Sequence, residues 1–583
     1  MRVKTVLLVL ITVTLAVVLI GGWMWWRTDG SPAIASRTIL EVDLTMGFAE
    51  DTPRDALALA FIERRPRLRE VVAALERAAG DDRVLGIIAK VGASPGGLGT
   101  LQELRDAFVE FGKTGKTTIA YAETFGEFGA GNGGYYLATA FDEIFLQPSG
   151  DVGLTGLRYE VPFLAGTFEK LGIEAQMGQR YEFKNAVNSY TEKGFTGPHA
   201  EAMQDLVDSQ FDQIVSGIAE RRGFTEDLVR GVFDKGPHLG AEALALGLVD
   251  RLAYRDEVYE AAESEWGGDV EYRDLVDYAR FSAPRLGGAE TIALIYGVGP
   301  INRGSGGYDL LSGNVQMGAD TVAQAFRDAV EDDDVRAILF RVNSPGGSYV
   351  ASDTIWRETV RAREAGKPVV ASFGDVAGSG GYFVAMNADH IVAQPGTITG
   401  SIGVYGGKLV SRDFWNKLGM TFDAVSTSDN SAMWSGVEGF DERGWRRMQD
   451  SLDRIYDDFV SKVARGRGLS IEQVETVARG RIWTGERAVE NGLVDELGGF
   501  PVAYAALRRL LDLPEDTPLA VRIFPRPRSA WELFFERLSA FEAGSRLQSS
   551  RAGFERVRTV LSQLVGTLEP KDVLEMPFVP ELE

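Results

Sequence analysis

The residues best suited to chemistry lie near the middle of the chain, in the run Asp375-Val-Ala-Gly-Ser-Gly-Gly-Tyr382. The apolar run Pro368–Ser372 before it predicts a buried strand, and the apolar residues from Tyr382 onward predict the start of a helix. Ser379 would then lie between glycines at a strand-to-helix turn, where a substrate backbone can approach closely and free N–H groups can hold an oxyanion. A tight turn whose serine only caps the helix would give the same pattern.

A serine nucleophile needs a base that accepts its hydroxyl proton. The chain has three histidines, His199, His238 and His390. The first two lie in no motif and the third stands at a predicted strand entrance, so structural roles are predicted for all three. Lysine is the alternative base, provided that burial lowers its pKa from about 10.4 toward about 7–8. Lys184 is the candidate, although its spacing alone is more typical of a surface lysine.

Length and composition limit the possible functions. The 583 residues, 45% of them hydrophobic, are enough for two to four packed domains. The net charge of −23 argues against nucleic acid as a partner, because phosphate binding requires a basic field. The lack of cysteine excludes disulfides and cysteine metal sites, and three scattered histidines disfavour any other metal centre. No metal or cofactor is therefore predicted.

The N-terminus carries the signature of a membrane anchor. Thr5–Trp26 is an apolar run of 22 residues, long enough to span a bilayer, with tryptophans at its end. Arg2 and Lys4 precede the run, so the positive-inside rule keeps the N-terminus cytoplasmic and places the rest of the chain across the membrane. A cleaved signal peptide is the alternative, with Ala33-Ile-Ala35 as its cleavage site. Residues 1–30 are predicted to form a cytoplasmic stub and an uncleaved transmembrane helix.

The rest of the chain alternates predicted strands and helices, which favours a layered α/β fold with mainly parallel strands. Six short sequences recur in order at an offset that drifts only from 251 to 245 residues, so the chain is predicted to hold two tandem copies of one domain. The matches are Asp81–Val91 with Asp332–Val342, Ser94–Gly97 with Ser344–Gly347, Asn132–Tyr135 with Ser379–Tyr382, Gln147–Pro148 with Gln394–Pro395, Met203–Asp205 with Met448–Asp450, and Gly247–Asp250 with Gly492–Asp495.

The predicted first copy is residues 37–285 and the second is residues 289–525, joined by a Pro/Gly-rich linker. Residues 526–583 carry apolar residues at helical spacing and are predicted to form an amphipathic helical extension. The linker is Phe281-Ser-Ala-Pro-Arg-Leu-Gly-Gly288.

The two copies differ where chemistry would occur. The first copy has Asn132 where the second has Ser379, and the second has Ser431 opposite Lys184. The candidate nucleophile and the candidate base therefore belong to different copies. Ser94-Pro-Gly-Gly97 of the first copy is predicted to be a structural turn whose geometry demands glycine.

Together these motifs resemble the signal peptide peptidase A (protease IV) family in its long, duplicated bacterial form. The resemblance rests on five motifs: Ser344–Gly347, Gly378–Tyr382, Gln394–Pro395, Thr399–Gly403 and Tyr181–Ala186. It implies tandem crotonase/ClpP-like domains that form a Ser/Lys dyad endopeptidase, with Ser379 as nucleophile and Lys184 as general base.

The same resemblance implies that Ser401 orients the lysine and that the backbone N–H groups of Gly347 and Gly380 form the oxyanion hole. It also implies a homotetramer, single-pass in a bacterial plasma membrane through residues 5–26, that degrades remnant signal peptides on the extracytoplasmic side. A crotonase-like acyl-CoA enzyme and a catalytically inactive membrane scaffold are the alternatives, and the strongly negative charge disfavours the first.

Overall fold

The computed structural model describes residues 34–51, 65–282, 289–308, 315–526 and 574–575. The predicted membrane segment and residues 283–288 of the predicted linker lie outside these residues. So does the predicted C-terminal extension, except for residue 526 and for Leu574–Glu575, which form a strand and not part of a helix as predicted. Among the helices within the described ranges, none combines the length and apolar character that a bilayer crossing requires.

The described residues form 23 strands and 18 α-helices, together with a short 3₁₀ helix at Asn185–Val187. The strands are β1 (Thr38–Asp43), β2 (Val84–Val91), β3 (Thr117–Ala122), β4 (Glu143–Leu146), β5 (Asp151–Val152), β6 (Glu174–Arg180), β7 (His238–Leu239), β8 (Arg251–Leu252), β9 (Glu271–Asp274), β10 (Glu290–Val298), β11 (Ile301–Asn302), β12 (Gly307–Tyr308), β13 (Val315–Gly318), β14 (Val335–Ser344), β15 (Gly346–Gly347), β16 (Val369–Gly378), β17 (His390–Ala393), β18 (Ile398–Gly400), β19 (Val404–Val410), β20 (Ile482–Thr484), β21 (Glu496–Leu497), β22 (Leu519–Phe524) and β23 (Leu574–Glu575). The helices are α1 (Leu68–Ala79), α2 (Leu98–Gly112), α3 (Asn132–Ala138), α4 (Ala165–Leu171), α5 (Asn188–Thr191), α6 (Gly197–Arg222), α7 (Glu226–Phe233), α8 (Gly240–Ala245), α9 (Arg255–Trp266), α10 (Leu275–Phe281), α11 (Ala319–Glu331), α12 (Tyr349–Glu364), α13 (Gly380–Phe383), α14 (Arg412–Lys417), α15 (Glu442–Arg467), α16 (Ile471–Val477), α17 (Gly485–Glu490) and α18 (Phe500–Leu510).

Each half of the chain is built on a parallel sheet with the same strand order. In the first half the order is β8-β4-β3-β2-β1-β9, and in the second the corresponding strands run β21-β17-β16-β14-β10-β22. Nearly continuous apolar runs such as Val84–Val91 and Val335–Val342 form the central strands, as expected of strands that are covered on both faces. The repeated order is the structural counterpart of the sequence repeat.

Helices cover both faces of each sheet. In the first half α1, α2, α3 and α6 pack on one face, and α9 packs on the other through Val258 and Ala262. In the second half α11, α12 and α15 cover one face, and α18 covers the other through Phe500 and Leu507. The layered α/β fold expected from the sequence is therefore present in both halves.

The two halves are joined by a strand pair and by a buried ionic group. Strand β6 of the first half pairs antiparallel with β19 of the second, from Glu174 opposite Val410 to Arg180 opposite Val404. These two strands form a sheet of their own. The ladder fixes the end of β6 beside the second half.

The buried ionic group includes Arg341 of strand β14 and Ser372 of strand β16. The guanidinium of Arg341, on β14, is fully buried and contacts Glu50 at 2.7 Å and Glu103 at 2.9 Å, both from the first half. It also donates to Ser372 Oγ at 2.9 Å and faces the ring of Phe500 at 4.6 Å. Burial raises the pKa of the Glu103 carboxyl, and the Arg341 charge opposes that rise only in part. Both halves thus contribute to one desolvated charge cluster.

Candidate active site

Ser379 lies where β16 ends and the short helix α13 begins. Strand β16 changes its pairing partner before it reaches Ser379. Its first part pairs with β17, and its last residues, Val376–Gly378, pair with β18. The backbone N–H of Ser379 donates to the carbonyl of Gly400 at 2.8 Å, which fixes the turn. Ser379 has a φ of 53°, rare for a residue with a side chain and typical of strained functional turns. Its hydroxyl does not cap the helix, so the capping interpretation does not describe this turn.

Lys184 comes from the other half and is completely buried. It follows β6 by four residues, so the β6–β19 ladder carries it into the second half. Its backbone packs against Gly480, where a Cβ would lie only 2.4 Å from the Lys184 nitrogen. A glycine is therefore required at that contact.

The lysine amine is shared between two serines. Lys184 Nζ lies 2.7 Å from Ser379 Oγ and 3.1 Å from both Oγ and the carbonyl oxygen of Ser401. All three side chains are buried. Ser401 sits between β18 and β19 with a φ of 52°, and its N–H donates to the carbonyl of Arg481 at 2.8 Å. An amine in hydrogen-bond distance of a serine hydroxyl can accept its proton when neutral.

The two glycines predicted to bind an oxyanion lie next to each other. A Cβ added to Gly380 would lie 3.1 Å from the backbone nitrogen of Gly347 and 2.8 Å from Ser352 Oγ. Gly347, in β15, has a φ of 151°. β15 also pairs antiparallel with β23, Gly347 opposite Leu574. Neighbouring backbone amides beside a nucleophile are the elements of an oxyanion hole, and this role stays a prediction for both glycines.

The histidines are engaged elsewhere. His390 Nε2 lies 2.9 Å from Glu496 Oε2, and His238 Nε2 lies 2.9 Å from the carbonyl of Val232. His199 is buried, and its Nδ1 lies 3.4 Å from the amide nitrogen of Asn188. Burial lowers the pKa of His199 to about 4.

The first half has no nucleophile at the position equivalent to Ser379. Asn132 instead donates to the carbonyl of Gly156 at 3.0 Å and accepts from the N–H groups of Thr155 and Gly156 at 3.1 and 3.3 Å. The asparagine thus ties a loop in place.

The prediction that turn geometry demands glycine in Ser94–Gly97 is wrong for Gly97. That residue has a φ of −71°, which any residue can adopt. A Cβ on Gly97 would instead lie 2.7 Å from Cγ of Asp375 in the second half. Sequence reasoning missed this contact because it joins residues 278 positions apart.

Comparison with known proteins identifies the family of this chain. The sequence profile described as "Peptidase family S49" matches the chain twice, at residues 110–267 and 361–514. The chain therefore belongs to peptidase family S49 and is a serine peptidase that carries the family's domain in two copies. This membership leaves no support for the acyl-CoA enzyme.

Several relatives match over most of their length. Protease 4 of Salmonella typhi is 31% identical over 538 residues, covering 88% of this chain and 85% of that protein. Serine protease SPPA, chloroplastic, of Arabidopsis thaliana is 30% identical over 78% of this chain and 67% of that protein. Protease 4 of Haemophilus influenzae is 30% identical over 80% of this chain and 77% of that protein. Among solved structures, a point mutant of ClpP1 from Listeria monocytogenes aligns over 37% of this chain and 94% of its own, with 15% identity and a TM-score of 0.23.

Proposed function

We propose that this serine peptidase is a membrane-anchored endopeptidase that uses a Ser379/Lys184 dyad to degrade remnant signal peptides at the extracytoplasmic face of a bacterial plasma membrane. The single observation that carries the dyad is the 2.7 Å separation of Lys184 Nζ and Ser379 Oγ, in a buried site to which each half contributes one group.

The reaction would follow from these positions. Neutral Lys184 Nζ accepts the hydroxyl proton while Ser379 Oγ attacks the peptide carbonyl carbon. The N–H groups of Gly347 and Gly380 stabilise the negative oxygen that forms. The protonated amine then gives its proton to the leaving nitrogen, and the C–N bond breaks to leave an acyl-enzyme. Nζ next activates a water that releases the acyl group and restores the hydroxyl. Ser401 holds the amine in line throughout, through the two contacts at 3.1 Å.

The edge of β15 supports peptide binding in an extended form. Leu574–Glu575 of the chain itself lies there antiparallel to Gly346–Gly347. A substrate backbone that adopted the same pairing would pass directly beside the oxyanion amides, and main-chain pairing of this kind is a general mode of peptide recognition. The predicted anchor, Thr5–Trp26, would hold this cleft near the bilayer, where cleaved signal peptides reside. By its family resemblance the protein would act as a homotetramer, which light scattering of the detergent-solubilised protein tests.

The dyad is tested by single substitutions in the full-length protein in detergent. Ser379→Ala and Lys184→Ala should each lower turnover of an apolar fluorogenic peptide amide by at least about 10²-fold. Lys367→Ala is the matched control, since that lysine donates to two backbone carbonyls, those of Ala329 and Asp332. Near-normal turnover by Lys184→Ala would refute the dyad.

Two further measurements separate the alternatives. An acylating probe should label Ser379 in the wild type and not in Ser379→Ala, whereas an inactive scaffold would not be labelled at all. Turnover of a synthetic signal peptide should exceed that of a polar peptide of equal length. Equal rates would leave the peptidase in place and remove signal peptides as its substrate class.

A further inference from the structure

Asp375 reaches from the second half of the chain into the first. It lies on β16, four residues before Ser379, and its carboxylate is partly buried. One carboxylate oxygen accepts from the backbone N–H of Thr100 at 2.7 Å. The other accepts from Thr100 Oγ1 at 2.8 Å and from the N–H of Gly97 at 3.3 Å. The carboxylate therefore binds the N-terminus of α2, a helix of the first half, whose dipole favours negative charge.

The amide of Gly97 has a counterpart in the proposed active site. Ser94–Gly97 matches Ser344–Gly347 in the sequence repeat, so Gly97 occupies the first-half position of the oxyanion donor Gly347. Because Asn132 replaces the serine in the first half, no oxyanion can form there. The first-half amide binds a negative oxygen nonetheless, and that oxygen belongs to Asp375.

Glycines make this approach of the two halves possible. A Cβ on Gly97 would lie 2.7 Å from Cγ of Asp375, and a Cβ on Gly99 would lie 2.9 Å from the carbonyl oxygen of Gly374. Both distances are too short for real atoms, so larger residues would push β16 away from α2. The residue after Asp375 is also fixed, because the N–H of Val376 donates to Asn343 Oδ1 at 3.1 Å.

Two of the attachments between the halves act on the strands that lead to the dyad residues. The β6–β19 ladder holds Lys184 against the second half, and the Asp375 carboxylate holds β16, which ends at Ser379, against the first. At about 3.3 Å per residue, four strand residues separate the anchor from the nucleophile by about 13 Å. A displacement of about 1 Å at a reacting atom can lower a rate by about 10²-fold.

We propose that Asp375 is a positioning residue: its carboxylate, bound by the amide of Gly97 and by Thr100 in the inactive copy, sets the place of Ser379 relative to Lys184. This inference rests on the proposed dyad. It gives the inactive copy a second contribution to the reaction besides its lysine.

The test compares Asp375→Asn with Asp389→Asn. The control carboxylate accepts from the N–H of Val369 at 2.9 Å, at the opposite end of β16, and joins only elements of the second half. Asp375→Asn should lower kcat by about 10- to 100-fold with KM changed less than about 2-fold. Asp389→Asn should lower the melting temperature by about as much as Asp375→Asn does, and should leave kcat within about 2-fold of wild type. A kcat that falls equally in both variants would reduce Asp375 to a stabilising contact and overturn the proposal.

Thr100→Val provides a second route if Asp375→Asn does not fold. It removes a single contact to the carboxylate, so kcat should fall by about 3- to 10-fold, again with KM unchanged. Where Asp375→Asn does fold, the two substitutions should be non-additive when combined. An unchanged kcat in Thr100→Val refutes the positioning role. Failure of the dyad itself is distinguishable, because it would appear as retained turnover in Lys184→Ala.

Discussion

Replacement of Ser401 by alanine should lower turnover by about 10- to 150-fold while the protein stays folded. The substitution removes the hydroxyl that lies 3.1 Å from Lys184 Nζ and leaves the backbone carbonyl of residue 401 at the same distance. After proton transfer the amine is an ammonium ion, so the lost bond is charge-assisted and contributes about 1.5–3 kcal/mol. At about 1.36 kcal/mol per tenfold change in rate, this loss corresponds to roughly 10- to 150-fold.

The assay measures kcat/KM for a fluorogenic peptide amide. Ser401→Ala is introduced into two backgrounds, first the wild type and second the Lys184→Ala variant. Ser401→Ala should have an effect of less than about 2-fold in the second background, because no amine remains to be oriented. Thr359→Val is the matched control, since it removes a buried hydroxyl away from the lysine, one that donates to the backbone carbonyl of Trp356. If Ser401→Ala lowers activity equally in both backgrounds, the hydroxyl does not act through the lysine.

Three further substitutions test other parts of the structure. Gly380→Ala should lower kcat by about 10²-fold with unchanged circular dichroism, because its Cβ would lie 3.1 Å from the Gly347 nitrogen; normal kinetics would exclude the oxyanion role. His199 has a pKa lowered to about 4, so the neutral ring stabilises the fold above its unfolded pKa of about 6.5, and this stability is lost as pH falls toward 4. Between pH 7.5 and 4.5, the free energy of unfolding measured with urea should fall by about 2.5 kcal/mol less in His199→Gln than in wild type. An equal fall in both proteins would contradict this. Arg341→Met should lower the free energy of unfolding by about 3–5 kcal/mol, because it leaves the Glu103 carboxylate buried without its partner; calorimetry showing an unchanged melting temperature would refute that cost.

Local pattern and repetition were enough to predict the α/β layers. The alternating strands and helices expected from the sequence are present, with β3 and α2 as examples, because long apolar runs and helical periodicity report burial directly. Comparing the copies also indicated which half holds the serine and which the lysine, because a substitution in one copy stands out against the other.

The contacts between the halves could not be predicted in this way. Strand β6 has the sequence Glu-Ala-Gln-Met-Gly-Gln-Arg, in which only Ala175 and Met177 are apolar, too few to predict a strand. Its backbone is fixed as a strand by its pairing with β19. Arg341 and Glu103 are charged residues 238 positions apart, and charged residues are usually exposed. Their burial depends on tertiary partners that no local pattern reports.

The strand pair between β6 and β19 has a consequence for biosynthesis. Lys184 is translated 195 residues before Ser379. At roughly 5–20 residues per second, about 10–40 s pass between the two residues on the ribosome. Throughout that interval the emerging chain holds the proposed base without the proposed nucleophile, and β19, the strand that pairs with β6, is made later still. If Ser379 and Lys184 form the proposed dyad, a nascent copy of this peptidase would therefore be unable to cut its neighbours or itself until at least the first 410 of its 583 residues had been made.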